Sequence, residues 1–264
     1  MNLLLPKVFV VAHPKFHERY TYIKKHLADR NVAEPVYVGV VGKDVLAAGS
    51  ASQHAPELSA GQIGCALSHI NAYKKMIEMG IEKAVIIEDD AILPQNFNDI
   101  VSLAATYLRE GEIISLHSPT MQPQPLSKHG VIEICGNKFF HPMKATAVRS
   151  TLCYLIHCDT AKRILLANCG AHYLADNFGK FWEKGLVKHL RIASPQVVRV
   201  AGFESVIGYH TSPISKAVGW VLNSAPIVAA HRKRRREKMR LRRDMHHHLT
   251  DEISEAETGN PNYE

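Results

Sequence analysis

Residues 85–90 read Val85-Ile86-Ile87-Glu88-Asp89-Asp90, three apolar β-formers followed by three carboxylates. A strand cannot carry that cluster into a core, because unpaired ionised groups are too costly to remove from water. The strand must end at the acids, which then stand at the carboxyl edge of a sheet, where open α/β sheets bind their ligands. Three acids at one point repel one another, and a divalent cation relieves the repulsion. Hard oxygen ligands suit Mg²⁺ or Mn²⁺, metals that often carry a substrate diphosphate. Side chains alternate along a strand, so Glu88 and Asp90 share one side and Asp89 points away. Asp90, nearest the edge, is the favoured metal ligand and Glu88 a supporting one. The competing reading is a solvated turn, or an acidic cap on the next segment.

The surrounding pattern predicts an α/β fold. Val8 to Ala12 reads as a first strand rather than as part of a signal peptide, since no basic stretch or small-residue cleavage site accompanies it. His17 to Asp29 follows as a helix with Tyr20, Ile23 and Leu27 at helical spacing. Pro35 to Val41 is β-rich, and the chain is then irregular to about residue 58. Ser59 and Gln62 form a capping-box pattern. They open a helix whose Ile63, Leu67, Ile70 and Ile77 lie on one stripe, and Gly80 stops it. Lys83 to Glu88 is the next strand, Asn98 to Arg109 a helix and Glu112 to Leu116 a strand. Prolines mark a loop from Ser118 to Gly130, and Gly136-Asn137 turns a hairpin. Thr151 to His157 is β-rich, Asp159 caps a helix to about Asn168, and Ala175 to Trp182 forms a short one. Gln196 to Val200 is β-rich, residues 202–223 are irregular, and Ser224 and Pro226 open a long C-terminal helix. Alternating strands and helices imply a mainly parallel sheet. Two parts follow: a domain over residues 1–223, and a basic C-terminal helix and tail over 224–264.

Charge separates the same two parts. The net charge is +7, and residues 231–244, HRKRRREKMRLRRD, carry nine Lys/Arg and two acids. The body is therefore neutral. No apolar run reaches the ~18 to 20 residues of a transmembrane helix. The five cysteines, Cys65, Cys135, Cys153, Cys158 and Cys169, are odd in number and show no Cys-x-x-Cys spacing. Free thiols in a reducing cytoplasm fit that pattern better than a zinc ribbon or a secreted disulfide framework.

The segment GQIGCALSHINAYKKMIEMGIEKAVIIEDDAIL resembles glycosyltransferase family 25, which includes bacterial lipooligosaccharide galactosyltransferases and animal collagen galactosyltransferases. Members show a Gly-x-x-(Gly/Ala)-Cys-x-x-Ser-His helix and then a strand ending Glu-Asp-Asp. Here these are Gly61, Gly64, Cys65, Ser68 and His69, then Glu88, Asp89 and Asp90. Arg19 stands at the family's basic helix start, while Ala12-His13 replaces the usual Asn-Leu or Ser-Leu. Ala147 to Leu165, with Tyr154, resembles the strand-helix unit after the central loop. Leu174-Ala175-Asp176 matches a Pro-x-Asp element without its proline, and Ser194-Pro195 the start of the final strand.

The resemblance implies a GT-A-like, Rossmann-type sheet binding a nucleotide sugar beside a metal at the acidic motif. It implies inverting transfer of a hexose, commonly galactose from UDP-galactose, onto a lipooligosaccharide core acceptor. Arg19, Ser68, His69, Glu88 and Asp89 become donor-site candidates, with the metal on Asp90 and Glu88. Inversion needs a carboxylate that accepts the acceptor's proton. With the cluster engaged by metal, Asp176 is the candidate base; capping of the short helix after it is the plainer role. His69 can equally be a core-edge histidine, and Arg19 a surface ion pair. His210, in a glycine-rich stretch, is a lesser metal candidate, and His246 to His248 read as solvated tail.

The basic run reads as an exposed helix, since Met239, Leu241 and Met245 are too few for a coiled-coil seam. An anionic membrane, nucleic acid, a phosphorylated acceptor or plain solvent could face it. Basic residues near an anionic leaflet contribute roughly 1 kcal/mol each, so residues 231–243 can hold a cytoplasmic enzyme on the inner face of the inner membrane, beside lipid-linked glycans. No aromatic platform or reading motif supports nucleic-acid binding. A tail-driven nucleic-acid binder, and a metal-dependent nucleotidyltransferase or phosphohydrolase, remain the alternatives. Oligomeric state is not legible.

Overall fold

Val8 and Val10 bury on one face of the first strand and Phe9 on the other, and this alternation sets the layers of the molecule. The computed structural model describes residues 5–49, 53–117, 125–203 and 248–263. Strand β1 (Lys7–Val11) is followed by α1 (His17–Ala28) and β2 (Val36–Tyr37), then α2 (Gly42–Ala47), α3 (Ala60–Glu78) and β3 (Lys83–Glu88). Next come β4 (Ala91–Ile92), α4 (Phe97–Tyr107), β5 (Glu112–Ser115), and the hairpin β6 (Pro125–Ile134) and β7 (Asn137–Pro142). Then follow β8 (Cys153–His157), α5 (Cys158–Asn168), α6 (Phe178–Glu183), β9 (His189–Ala193), β10 (Arg199–Val200), β11 (His248–Thr250) and α7 (Glu255–Thr258).

Nine of these strands form one sheet in the order β11-β6-β7-β9-β5-β8-β3-β1-β2. Seven run in one direction; β8, between β3 and β5, and β7, between β9 and β6, oppose them. The sheet is thus mixed, mostly parallel and flanked by helices. On one face, Ile23 and Leu27 of α1 and Phe97, Ile100 and Val101 of α4 meet Val8, Val10, Val85 and Ile87. On the other, Ile70, Tyr73 and Met76 of α3, Ile164 of α5 and Phe178 and Phe181 of α6 meet Phe9 and Ile86. Coverage of both faces explains why β3 reads as an uninterrupted apolar run.

β2 and β3 flank β1 on opposite sides. The chain leaves β1 one way through α1 and comes back the other way through α3, so the crevice at the carboxyl ends of β1 and β3 is a topological switch point.

Several expectations are corrected. The stretch after residue 41, expected irregular, contains α2. Residues 189–193, given no structure in advance, form the inner strand β9, between β7 and β5. Gln196 to Val200 contributes only the two-residue β10, paired with β4 apart from the main sheet. The loop expected to reach Gly130 already belongs to β6 from Pro125. The C-terminal helix from Ser224, the basic run, His210, His246 and His247 lie outside the described residues, as does the 223/224 boundary. Beyond that boundary, β11 pairs with β6 and Ala256 of α7 joins the core, so residues 248–263 form part of the main body.

Candidate functional site

The site begins with a helix that must start close to the sheet. Ser59 Oγ accepts the Gln62 amide, and Gln62 Oε1 accepts the Ser59 amide at 2.8 Å, completing the capping box of α3. The first turns of α3 then pass the start of α2 at backbone distance. A Cβ on Gly42 would lie 1.7 Å from the Ala60 carbonyl oxygen, and one on Gly64 2.7 Å from the Gly42 nitrogen. Only glycine permits that approach. Ser68 Oγ accepts the Val40 amide at 2.8 Å and donates to the Gly64 carbonyl at 2.7 Å, tying α3 to the segment after β2.

This packing leaves an open cleft at the switch point. Its walls come from the ends of β1 (Val11, Ala12, His13), the turn after β2 (Gly39, Val40), the first half of α3 (Gly61, Gly64, Cys65, Ser68) and the acidic end of β3 (Glu88, Asp89), with Phe16 and Arg19 at the start of α1.

The three acids divide between two partners. Arg19 donates to Asp89 Oδ1 from Nε at 2.8 Å and from a terminal nitrogen at 2.5 Å. The same terminal nitrogen is 2.8 Å from Asp90 Oδ2. The Phe203 ring lies over this guanidinium, 5.6 Å from its centroid. Glu88 faces the opposite layer: Thr151 donates its hydroxyl to Glu88 Oε1, and His69 Nε2 lies 3.5 Å from that oxygen. The expectation that Glu88 and Asp90 share a side is therefore wrong. β3 ends at Glu88 and the chain turns at Asp89 and Asp90, so strand alternation stops and Asp90 joins Asp89 on the α1 side.

Burial and the charge of Glu88 push the Asp90 carboxyl up to about 6, against the pull of Arg19. Asp89 is also raised, chiefly by burial. Glu88 is lowered: burial alone would raise it, but the His69 imidazole, the Thr151 hydroxyl and Arg19 prevail. Asp90 Oδ1 is buried and has no hydrogen-bond partner. Asp90, next in the chain to the cleft-lining Asp89, is thus pinned on one oxygen and bare on the other, a suitable anchor for a hard cation.

The model of glycosyltransferase family 25 (LPS biosynthesis protein) matches residues 40–178. That is over half of the chain, and it contains α3, the acids of β3, and everything between them and Asp176. The chain belongs to glycosyltransferase family 25. A solved structure described as mannose-1-phosphate geranyltransferase from Thermus thermophilus is similar over 72% of this chain and 73% of that one, at 7% identity and a TM-score of 0.38. So distant a likeness carries no argument about function.

Within this family 25 chain, Asp176 lies just before α6. Its carboxyl is raised first by burial and then by the charge of Glu88, with Arg149 opposing. It is thus within electrostatic reach of the acidic strand end, and Asn177, its neighbour, caps α6 instead, accepting the Lys180 amide at 3.2 Å. His69 is buried; Tyr154 Oη lies 2.9 Å from its Nδ1 and 2.6 Å from Tyr73 Oη. Sequence reasoning missed Thr151 and Cys65 as neighbours of Glu88, and Tyr73 as the partner of the Tyr154 hydroxyl. Cys65 and His69 are four apart on one helix, a spacing that places them on one face.

Proposed function

We propose that this family 25 transferase moves a hexose, with UDP-galactose as the first candidate donor, onto a lipooligosaccharide core acceptor in an inverting, divalent-metal-dependent reaction. The observation that carries this reading is the acidic end of β3 at the switch-point cleft, with Asp90 Oδ1 buried and unpartnered.

The residues fit a hard cation. Asp90 offers a bare carboxylate oxygen whose ionised form is disfavoured in the metal-free protein. Mn²⁺ or Mg²⁺ would sit on Asp90, while Glu88, turned toward Thr151 and His69, adds negative charge but no ligand. Bound there, the ion would offset negative charge developing on the nucleoside diphosphate leaving group. Arg19 holds Asp89 and Asp90 in fixed positions, so the charges need not reorganise during reaction. The glycine-lined wall lets backbone approach a diphosphate closely, as phosphate-binding turns require.

Asp176 is the proposed base. Its raised carboxyl suits a proton acceptor. As the acceptor oxygen bonds to the anomeric carbon, its proton passes to Asp176 and the diphosphate leaves with the electrons of the broken glycosidic bond. Asp176→Asn is expected to lower kcat about 10²- to 10⁴-fold while donor affinity stays. Incubation with a nucleotide-sugar panel and analysis of products tests the reaction class. Nucleoside diphosphate and a glycosylated acceptor support it; pyrophosphate or phosphate release instead would point to a nucleotidyltransferase or phosphohydrolase.

Among the described residues no helix is long and apolar enough to cross a membrane. We place the enzyme at the inner membrane surface through residues 231–243, whose positive charge favours an anionic leaflet. Salt-sensitive co-sedimentation with anionic vesicles, lost without residues 231–243, is the expected result.

A further inference from the structure

Cys65 and His69 project from one face of α3, and Glu88 ends β3 against that face. A thiol sulfur, an imidazole nitrogen and a carboxylate oxygen from these residues all lie within 4.8 Å of one another. His69 is 1% exposed and its Nε2 makes no hydrogen bond. Glu88 Oε1 lies 3.5 Å from it, too far for a good hydrogen bond. The other ring nitrogen is held: Nδ1 meets the Tyr154 hydroxyl at 2.9 Å, which meets Tyr73 at 2.6 Å. A histidine that ligates a metal through one nitrogen has its other nitrogen oriented this way. With the proton on Nδ1, donated to the Tyr154 oxygen, the Nε2 lone pair points at the group.

Cys65 and Glu88 also line the cleft, so a cation bound here would keep an open position toward it. Sulfur, nitrogen and oxygen donors together suit a borderline cation of the zinc class rather than Mg²⁺. Three protein ligands and one open position are the arrangement of reactive rather than purely structural zinc sites.

We propose that Cys65, His69 and Glu88 form a second cation site, for a thiophilic divalent ion such as Zn²⁺, separate from the Asp90 site. Binding converts the Cys65 thiol to a metal-bound thiolate and releases its proton to solvent. The occupied site lies on the wall of the donor cleft, so Zn²⁺ there narrows the space for a donor and slows transfer. The site itself stands on these side chains and not on the glycosyl-transfer reading.

The test is titration of the metal-free full-length chain with Co²⁺ alone, read as a thiolate-to-cobalt charge-transfer band. The band should saturate at one ion per chain, vanish in Cys65→Ser and persist in Asp90→Asn. Tyr154→Phe should weaken Co²⁺ binding about tenfold. The histidine run at 246–248 binds cobalt without a sulfur band, so it does not confuse the readout. No band in the folded wild type, or a band that survives in Cys65→Ser, overturns the site. Should Cys65→Ser misfold, alkylation of Cys65 in the wild type, mapped by mass spectrometry, decides: Zn²⁺ should protect it, and an unchanged rate contradicts the proposal. Loss of Asp90-dependent donor binding leaves the cobalt result untouched, so the two readings fail separately.

Discussion

One guanidinium, that of Arg19, neutralises two of the three acids that end β3. All three side chains are mostly buried, at 11%, 11% and 16% exposure for Arg19, Asp89 and Asp90. Breaking a buried pair strands a charge, so Arg19→Ala should destabilise the fold by about 3 kcal/mol or more. Arg19→Lys should recover part of that loss while failing to hold both acids, because a single ammonium lacks the fork of donors. Urea denaturation of the two variants checks this; equal stability of Arg19→Ala and wild type would show that the pair is not structural. The acids were legible because three carboxylates after a buried run have few places to go. Their sides were not, since alternation holds only while the strand lasts and this one ends at Glu88. The ties of Glu88 to His69 and Thr151 join residues far apart in sequence, which no local pattern announces.

Among the elements, α3 was the most legible, because its capping box and apolar stripe agree with each other and with the fold. Its contact with α2 was not legible, since backbone proximity leaves no periodic trace beyond glycine itself. Gly64→Ala would place a Cβ 2.7 Å from the Gly42 nitrogen and 2.9 Å from the Val40 carbonyl oxygen. Backbone must shift on both sides, at about 1–3 kcal/mol, and the cleft wall moves with it. Thermal unfolding should show the loss and calorimetry a weaker donor; an unchanged Tm would mean the two helices are not in such contact. β9 escaped prediction for a different reason. His189 and Arg191 interrupt its apolar pattern, yet the structure buries both. Glu112, fully buried on the neighbouring strand, takes a hydrogen bond from Arg191. A polar pair across two strands hides a core strand from any reading of one strand alone.

At the scale of the molecule, the C-terminal segment closes the far end of the sheet. Ser254 donates to the Pro142 carbonyl at 2.7 Å, and Asn260 reaches back to the Trp182 carbonyl. Its polar sequence gave no hint of this role, because hydrogen bonds to carbonyls, rather than apolar periodicity, fix it in place. Two buried histidines lie beneath it. Burial, then Arg109 and Lys188, push His189 down to about 4, and burial with Arg191 pushes His141 down to about 3. Glu257 faces the same cluster and offsets part of the positive field on Arg191, as does Glu112. Both histidines stay neutral in the folded protein where the unfolded chain is already protonated, so stability falls as pH drops below about 6.5. Between pH 7 and pH 5 each should remove about 2 kcal/mol. His189→Gln should lose correspondingly less over that interval in urea titrations; an identical pH slope would show that His189 does not stay neutral on folding.

The account turns on whether the end of β3 binds a donor through a cation at Asp90. Calorimetry of the wild type and of Asp90→Asn with a UDP-sugar panel, with and without Mn²⁺, tests that most directly. One UDP-hexose should bind the wild type only when Mn²⁺ is present, and Asp90→Asn, folded and with an unchanged unfolding transition, should bind none. Mn²⁺-independent binding, or unaltered binding by Asp90→Asn, would contradict it.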